Sequence, residues 1–353
     1  LYHHKKNKYS QNQLMPTIGF NPDDGFRLGV NNIFTVFGFN RNPFSSQHGL
    51  KAHYYFATNG FDVSYSYELA NVIKNWNLYF LTGATSPNFS MNYYGLGNET
   101  INNEDELGAN YHRVKVSAYL AYPKLKWRGR MGAEIELGGL FEGMQIQNTD
   151  GRFINTIPGI PEDRQYYLGA QGKYAYENYD YQAFPTLGMG FEFEAGWKTN
   201  TNGDFDDLTF IKPSLSITHR LVSNGKLVLA SKLKGHITWG EEIEFYNLAS
   251  IGGRDGLRGY RNQRFTGNRS FYQNTDLRYN IKEVKTGLLP LEMSVFGGFD
   301  YGRVWLDGES SNSWKTSYGG GFALIGADMI NLTTSLFGSE DGMYFIFGLG
   351  FDF

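Results

Sequence analysis

The 353-residue sequence contains no cysteine and no excess of positive charge, and its apolar runs are all shorter than the ~18 residues that a transmembrane helix needs. Without cysteine, the chain has no disulfide, no thiolate metal site and no cysteine nucleophile. Its formal net charge of −3, from 32 basic and 35 acidic residues, gives no overall attraction to nucleic acid. We therefore expect neither a nucleic-acid partner nor a helical membrane bundle.

Aromatic residues make up 17% of the chain and 44 residues are glycine, whereas charged residues make up only 19%. This composition favours β structure over a charged disordered chain. No proline-rich or serine-rich linker divides the sequence after about residue 14, so we expect one large domain over residues 14–353. Residues 1–13, with a basic cluster from His3 to Lys8, are expected to be a linker from a missing upstream region.

Alternation of apolar and polar residues with a period of two recurs along most of the chain, which is typical of β-strands. In 61–69 the odd positions are apolar or aromatic and the even positions are polar, and 187–197 shows the same split. The polar faces carry carboxylates and lysines in mid-strand, which a sandwich core would accept only if each were paired. A polar lumen accepts them, and the long aromatic faces then require lipid.

The pattern therefore predicts an all-β fold, a 16-stranded antiparallel transmembrane β-barrel. The strands are predicted near 14–20, 26–38, 47–57, 60–70, 75–85, 112–122, 129–143, 165–177, 185–198, 208–222, 226–239, 270–282, 291–305, 316–326, 328–337 and 343–353. Long connections at 86–111, 144–164 and 240–269 alternate with shorter ones, as between the outer and periplasmic ends of such barrels. A soluble β-sandwich or propeller is the alternative.

The end of the chain indicates where such a barrel resides. Every odd position from Met343 to Phe353 is apolar, and the chain stops on an aromatic residue. Gly348, Phe351 and Phe353 resemble the terminal signal that outer-membrane assembly machinery reads. The resemblance implies a bacterial outer-membrane protein whose partners include that machinery, outer-membrane lipid and lipopolysaccharide.

The long connection before the twelfth strand contains a glycine-rich sequence, Gly252-Gly253-Arg254-Asp255-Gly256-Leu257-Arg258-Gly259-Tyr260. A phosphate-binding loop is disfavoured because no Gly-Lys-Ser/Thr follows. The residues Gly252, Gly253, Leu257, Arg258, Gly259 and Tyr260 resemble the loop-six motif of the BamA/TamA-type superfamily, the bacterial surface antigen barrels. That superfamily inserts or translocates proteins at the outer membrane.

Two further segments resemble the same superfamily in the expected order. Asp276 matches an acidic position of its twelfth strand, and Asp300, Gly302 and Trp305 match its thirteenth strand. By alternation, Asp276 and Asp300 both fall on polar faces of their strands. The resemblance implies that loop six folds into the lumen and that Arg258 pairs with both acids, an arrangement in which a guanidinium neutralises otherwise costly buried carboxylates.

The first hairpin, 17–29, and the sequence 93–100 are similar to a subgroup whose barrel follows a calcineurin-like metallophosphoesterase domain. Within this chain we expect no catalytic residue, no cofactor and no metal site. His112, His219 and His236, for example, lie on different predicted strands without the spacing of metal ligands.

The resemblance implies insertion, translocation or surface display of a polypeptide, either a client or the protein's own upstream domain. We expect a weak seam between the first and sixteenth strands, because Pro16, Gly19, Gly348 and Gly350 disfavour a regular ladder. An open seam would template an incoming strand. Two alternatives stay open: a passive porin-like channel, and an anchor or exporter for an upstream metallophosphoesterase or patatin-like hydrolase.

Overall fold

The computed structural model describes residues 9–21, 23–38, 43–182, 184–285, 290–326 and 330–351. Sixteen antiparallel strands form a closed barrel, each next to its neighbours in sequence, with the last strand beside the first. In chain order the strands β1 to β16 are Gln11–Asn21, Gly25–Val36, Ser46–Tyr55, Gly60–Ile73, Trp76–Asn92, Arg113–Arg128, Ala133–Gln147, Gln165–Tyr179, Gly188–Asn200, Leu208–Arg220, Leu227–Trp239, Arg269–Lys285, Pro290–Trp305, Lys315–Gly326, Ile330–Ser339 and Gly342–Phe351. The predicted fold class is confirmed.

The alternation in the sequence separates two faces of the barrel wall. On β4, Phe61, Val63 and Tyr65 point outward and are 47%, 38% and 37% exposed, whereas Glu68 on the other face is 3% exposed. Exposed aromatic and aliphatic side chains recur on the outer face of most strands. A surface of this kind is stable in hydrocarbon, where the closed ladder also satisfies the backbone.

The interior face holds the mid-strand charges in ion pairs between adjacent strands and between strands two apart. Lys124 on β6 lies 3.1 Å from Glu136 on β7, and Lys126 lies 3.1 Å from the same carboxylate. Lys198 on β9 lies 2.6 Å from Glu142 on β7. Such pairing offsets the cost of removing charges from water, which explains why the strands tolerate lysine and glutamate at their centres.

β5 and β6, the strands on either side of the connection 93–112, extend further than the sequence predicted. β5 ends at Asn92 and β6 reaches Arg128, so 86–92 and 123–128 are strand rather than connection. A register shift between Thr85 and Phe89 lets β5 continue as a bulged strand where alternation is broken. β1 likewise begins at Gln11 rather than residue 14, and it pairs with β2 along its whole length.

The connection 240–268, called loop six here, is the longest between described strands and carries structure of its own. It contains a short ribbon in which Ala249–Ile251 pairs with Phe265–Gly267, and two 3₁₀ turns, Phe245–Asn247 and Gly253–Asp255. A third 3₁₀ turn, Phe153–Thr156, and a one-turn helix, Glu104–Leu107, lie in other connections. No helix within the described part of the chain has the length and hydrophobicity to cross a bilayer.

The closure between β1 and β16 differs from the other strand pairs. Their described register covers Ile18 with Leu349, Gly19 with Gly348 and Phe20 with Phe347. By contrast, β1 pairs with β2 over all 11 of its residues. Among the described residues, 11–17 therefore have a ladder partner on one side only.

Candidate functional site at loop six

The register of β12 and β13 places two carboxylates next to each other. Asp276 lies opposite Gly298, and Asp300 lies opposite Asn274, two pairs further along the ladder. The neighbouring residues Leu277 and Phe299 are 47% and 49% exposed on the outer face. Asp276 and Asp300 consequently share the opposite face of the wall.

Arg258 of loop six binds both carboxylates. Its Nη2 lies 2.6 Å from Asp300 Oδ1 and 2.8 Å from Asp276 Oδ1. Its Nε donates to Asp300 Oδ2 at 3.0 Å, and its backbone N–H donates to the same oxygen at 3.0 Å. Asp300 thus accepts hydrogen bonds from both the main chain and the side chain of Arg258, which fixes the loop on β13.

Asp300 is fully buried, and two further residues complete its surroundings. Ser317 on β14 donates a hydrogen bond from its hydroxyl to Asp300 Oδ2 at 2.9 Å. The guanidinium of Arg258 lies 4.1 Å from the centre of the buried Phe337 ring on β15. Burial disfavours the charged guanidinium, but the bonds to Asp300 and the charges of Asp276 and Asp300 outweigh it and raise the pKa of Arg258.

Glycines provide the space for this contact. A Cβ on Gly298 would lie 2.7 Å from Arg258 Nη2, and a Cβ on Gly259 would lie 2.7 Å from both Gly338 O and Ser317 Cβ. Gly253, in contrast, has φ of 59°, a left-handed conformation in the 3₁₀ turn that precedes Arg258. The absence of a side chain at Gly259 therefore lets loop six approach the barrel wall closely, and Gly253 provides the left-handed conformation of the turn.

The other motif residues anchor loop six through packing. Leu257 is fully buried and Tyr260 is 3% exposed. Both belong to a cluster with Ile251, Phe265, Tyr272 and Val304.

Gly252 has φ of 136° at the start of the 3₁₀ turn. On β13, a Cβ at Gly302 would lie 2.7 Å from Phe271 O, whereas Trp305 is 36% exposed and meets Trp314 edge-on.

A residue of loop six also belongs to a second hydrophobic cluster, which includes residues of β6 and β7. This residue, Phe245, lies against Tyr93 with ring centres 4.2 Å apart, and both pack with Val114, Val116, Ile146 and Ile154. The adjoining Glu244 is 5% exposed. Burial raises the pKa of its carboxyl to about 7, although a hydrogen bond from the backbone N–H of Phe245 acts in the opposite direction.

Sequence reasoning missed several residues of this site. Ser317 and Phe337 are brought to Arg258 by β14 and β15, which lie far from it in sequence. Arg261 and Arg264 were also missed, although their spacing of three from Arg258 was a visible signal. They bind acidic residues in other connections: Arg261 pairs with Asp23, and Arg264 pairs with Asp341.

The residues predicted for the seam and for the terminal signal lie at the closure. Gly19 faces Gly348 in the register, while Pro16 pairs with Val30 of β2 and Gly350 pairs with Asn331 of β15. Phe351 pairs with Ile330 through its backbone. Phe353 lies outside the described residues. No group of three or more metal-ligating side chains occurs within the described ranges.

Comparisons with known proteins agree with the barrel fold. The family model of the haemolysin secretion/activation protein ShlB/FhaC/HecB matches residues 165–326, which is less than half of the chain. BamA from Haemophilus ducreyi lacking POTRA domains 1–3 superposes with a TM-score of 0.69 at 16% identity, over 97% of this chain and 70% of that one. No curated protein sequence matches.

Two structures of CdiB are also similar. The protein from Acinetobacter baumannii gives a TM-score of 0.59 at 13% identity, over 98% of this chain and 60% of that one. The protein from Escherichia coli gives 0.60 at 10% identity, over 96% and 63%. The chain therefore spans less than two thirds of either CdiB, and at these identities the likeness shows the fold.

Together, the barrel, the family match and these neighbours define an outer-membrane β-barrel. Its fold is that of the BamA and CdiB barrels, and residues 165–326 are similar to the haemolysin secretion/activation family ShlB/FhaC/HecB. Nothing in the comparisons supports fusion to a metallophosphoesterase.

Proposed function

We propose that this barrel moves or inserts a polypeptide at the bacterial outer membrane through the β1–β16 seam. The observation that carries the proposal is the short described register of that seam, from Ile18 to Phe20 on β1. Among the described residues, 11–17 of β1 have a ladder partner in β2 only, and a strand edge without a partner accepts an added strand. The client is a polypeptide with an extended segment, either a separate protein or an upstream domain of the same chain.

We further propose that loop six folds into the lumen and is held there by Arg258. The contacts of Arg258 with Asp276 and Asp300 support this placement, because both carboxylates lie on the interior face. The packing of Phe245 against Tyr93 supports it from the other side of the barrel. A loop anchored at both walls narrows the lumen, which favours transport along the seam over free diffusion through a pore.

The experiment is a disulfide lock of the seam in the native bacterium. The chain contains no cysteine, so Gly19→Cys with Gly348→Cys introduces a single cross-strand disulfide between register partners. The matched control is Ser231→Cys with Thr275→Cys on β11 and β12, where the two hydroxyl oxygens lie 3.1 Å apart. Secreted and surface polypeptides are then quantified by mass spectrometry with and without reductant.

The oxidised seam variant is expected to lose at least one secreted or surface polypeptide, with recovery on reduction and no loss in the control. Equal polypeptide levels in the locked and reduced seam would refute the proposal. Planar-bilayer conductance addresses the porin-like alternative: a large, steady conductance that Arg258→Ala leaves unchanged is the result expected of a passive channel.

A further inference from the structure

Two arginines of loop six bind the hairpins on both sides of the seam. Arg261 Nη1 lies 3.3 Å from Asp23 Oδ1, in the turn between β1 and β2. Arg264 Nε lies 2.5 Å from Asp341 Oδ2, in the turn between β15 and β16. Because β1 and β16 are antiparallel, the end of β1 and the start of β16 lie at the same end of the barrel. The two pairs therefore meet at one end of the seam.

Both pairs are well sheltered and reinforced. The side chains of Arg264 and Asp341 are 3% and 7% exposed, and those of Arg261 and Asp23 are 10% and 7% exposed. The backbone N–H of Asn262 also donates to Asp23 Oδ2 at 2.9 Å. Sheltered, hydrogen-bonded charge pairs of this kind hold a defined geometry far better than exposed surface pairs.

The connection between β5 and β6 contacts both arginines. Glu104 Oε2 lies 3.2 Å from Arg261 Nη2, and Thr100 accepts hydrogen bonds from Arg264 through its hydroxyl at 2.7 Å and its carbonyl at 2.9 Å. Arg261 also lies 5.8 Å from the ring centre of Tyr344 on β16. Arg261 thus contacts a residue on each side of the seam.

The position of these contacts matches the part of the seam that still pairs. Ile18 to Phe20 lie next to the end of β1 at Asn21, close to the turn that holds Asp23. Residues 11–17, whose ladder partners among the described residues are in β2 only, lie toward the other end of the strand. The two ion pairs of loop six therefore lie at the end of β1 where its described pairing with β16 is found.

We propose that Arg261 and Arg264 form a latch on the seam: β1 and β16 separate fully only when loop six releases Asp23 and Asp341. The proposal rests on the seam being the route of the polypeptide. It assigns to loop six a second role, distinct from the anchoring of Arg258, in which the loop controls the last part of the ladder to separate.

Hydrogen exchange of the purified barrel in detergent micelles tests the latch. In the double variant Arg261→Gln with Arg264→Gln, the amides of 18–20 and 347–349 are expected to exchange at least about tenfold faster than in the original protein. The amides of β6 and β7 are expected to keep their rates. Arg269→Gln is the matched control, since the side chain of Arg269 is half exposed and lies 3.5 Å from Asp307.

A second variant keeps the test independent of folding defects in the buried arginines. Asp23→Asn with Asp341→Asn removes both charges at nearly constant volume and is expected to accelerate exchange at the same amides. Unchanged seam exchange in a folded double variant, or equal acceleration throughout the barrel, would overturn the latch.

The disulfide between Gly19→Cys and Gly348→Cys separates this proposal from the proposed function. If the latch variants expose the seam while the disulfide leaves secreted polypeptides unchanged, the latch stands and the transport route fails. If the disulfide blocks secretion while the latch variants exchange like the original protein, the route stands and the latch fails.

Discussion

Gly298 lies directly opposite Asp276 in the ladder, and a Cβ on Gly298 would come within 2.7 Å of both Asp276 Oδ1 and Arg258 Nη2. The absence of a side chain at one residue thus makes room for the ion pair of the other. The packing at this point depends on the Asp276 carboxylate, the Arg258 guanidinium and the missing side chain at Gly298. A substitution can change each of the three separately.

Gly298→Ala is accordingly expected to displace Arg258 and lower the stability of the folded barrel by about 1–3 kcal/mol, the usual cost of overpacking. Gly297→Ala is the control, because a Cβ there meets nothing within 4 Å. The stability of both variants is measured by urea unfolding, which is monitored by the gel mobility of the unheated protein. Equal midpoints for the two variants would contradict the packing described around Arg258.

Arg258→Ala is expected to destabilise the barrel more strongly, by roughly 3–5 kcal/mol, since it leaves the buried Asp300 carboxylate without its main partner. Arg258→Lys keeps the positive charge but lacks the planar set of guanidinium donors. Its unfolding midpoint should therefore lie between the midpoints of Arg258→Ala and the original protein. The same urea titration tests the order. A midpoint for Arg258→Ala equal to that of the original protein would show that the contact contributes little.

The two carboxylates are expected to differ in importance. Asp300 is fully buried and accepts bonds from Arg258 and Ser317, whereas the side chain of Asp276 is 15% exposed and is shared with Arg278 at 3.7 Å. Asp300→Asn should therefore lower the unfolding midpoint more than Asp276→Asn does. The reverse order would mean that Asp276 is the principal partner of Arg258.

Glu244 is expected to make the stability of the folded barrel dependent on pH. Burial raises the pKa of its carboxyl to about 7, above the ordinary value of 4.5, so the folded state favours the protonated form. The resulting stabilisation is complete below about pH 4.5 and is lost as pH rises to about 7, by about 1.4 kcal/mol per unit of pKa difference.

Glu244→Gln keeps the neutral form at every pH. Relative to the original protein, this variant is expected to be more stable at pH 8 and nearly equal at pH 5. Thermal unfolding of both proteins at the two pH values checks the expectation. A stability difference that does not change between pH 5 and pH 8 would show that the carboxyl is not protonated in the folded barrel.

The sequence was sufficient to predict the barrel because each strand must present one face to lipid and one to a polar interior. That requirement leaves a period-two pattern, clearest in 61–69 and 187–197. It failed in 86–92, where the register shift after Thr85 interrupts alternation although the strand continues. Alternation of apolar and polar residues reveals a strand only where its pleat is regular. A β-bulge interrupts that alternation although the strand continues.

The candidate site was predictable only in part. Arg258, Asp276 and Asp300 were found through a motif and the parity of their strands. Ser317 and Phe337 approach Arg258 through the closure of the sheet, and no local pattern marks them. Asp23 and Asp341 lie in separate turns more than three hundred residues apart in sequence, and only the barrel brings both to loop six.

The most direct measurement is photocrosslinking in living cells from residue 14 of β1. A photoreactive amino acid replaces Leu14, which is 66% exposed and lies outside the described β1–β16 register. The control position is Leu137 on β7, which is 52% exposed on the outer face of the opposite wall. Transport through the seam predicts polypeptide adducts at residue 14 and none at residue 137. Equal adduct formation at both positions, or none at residue 14, would contradict it.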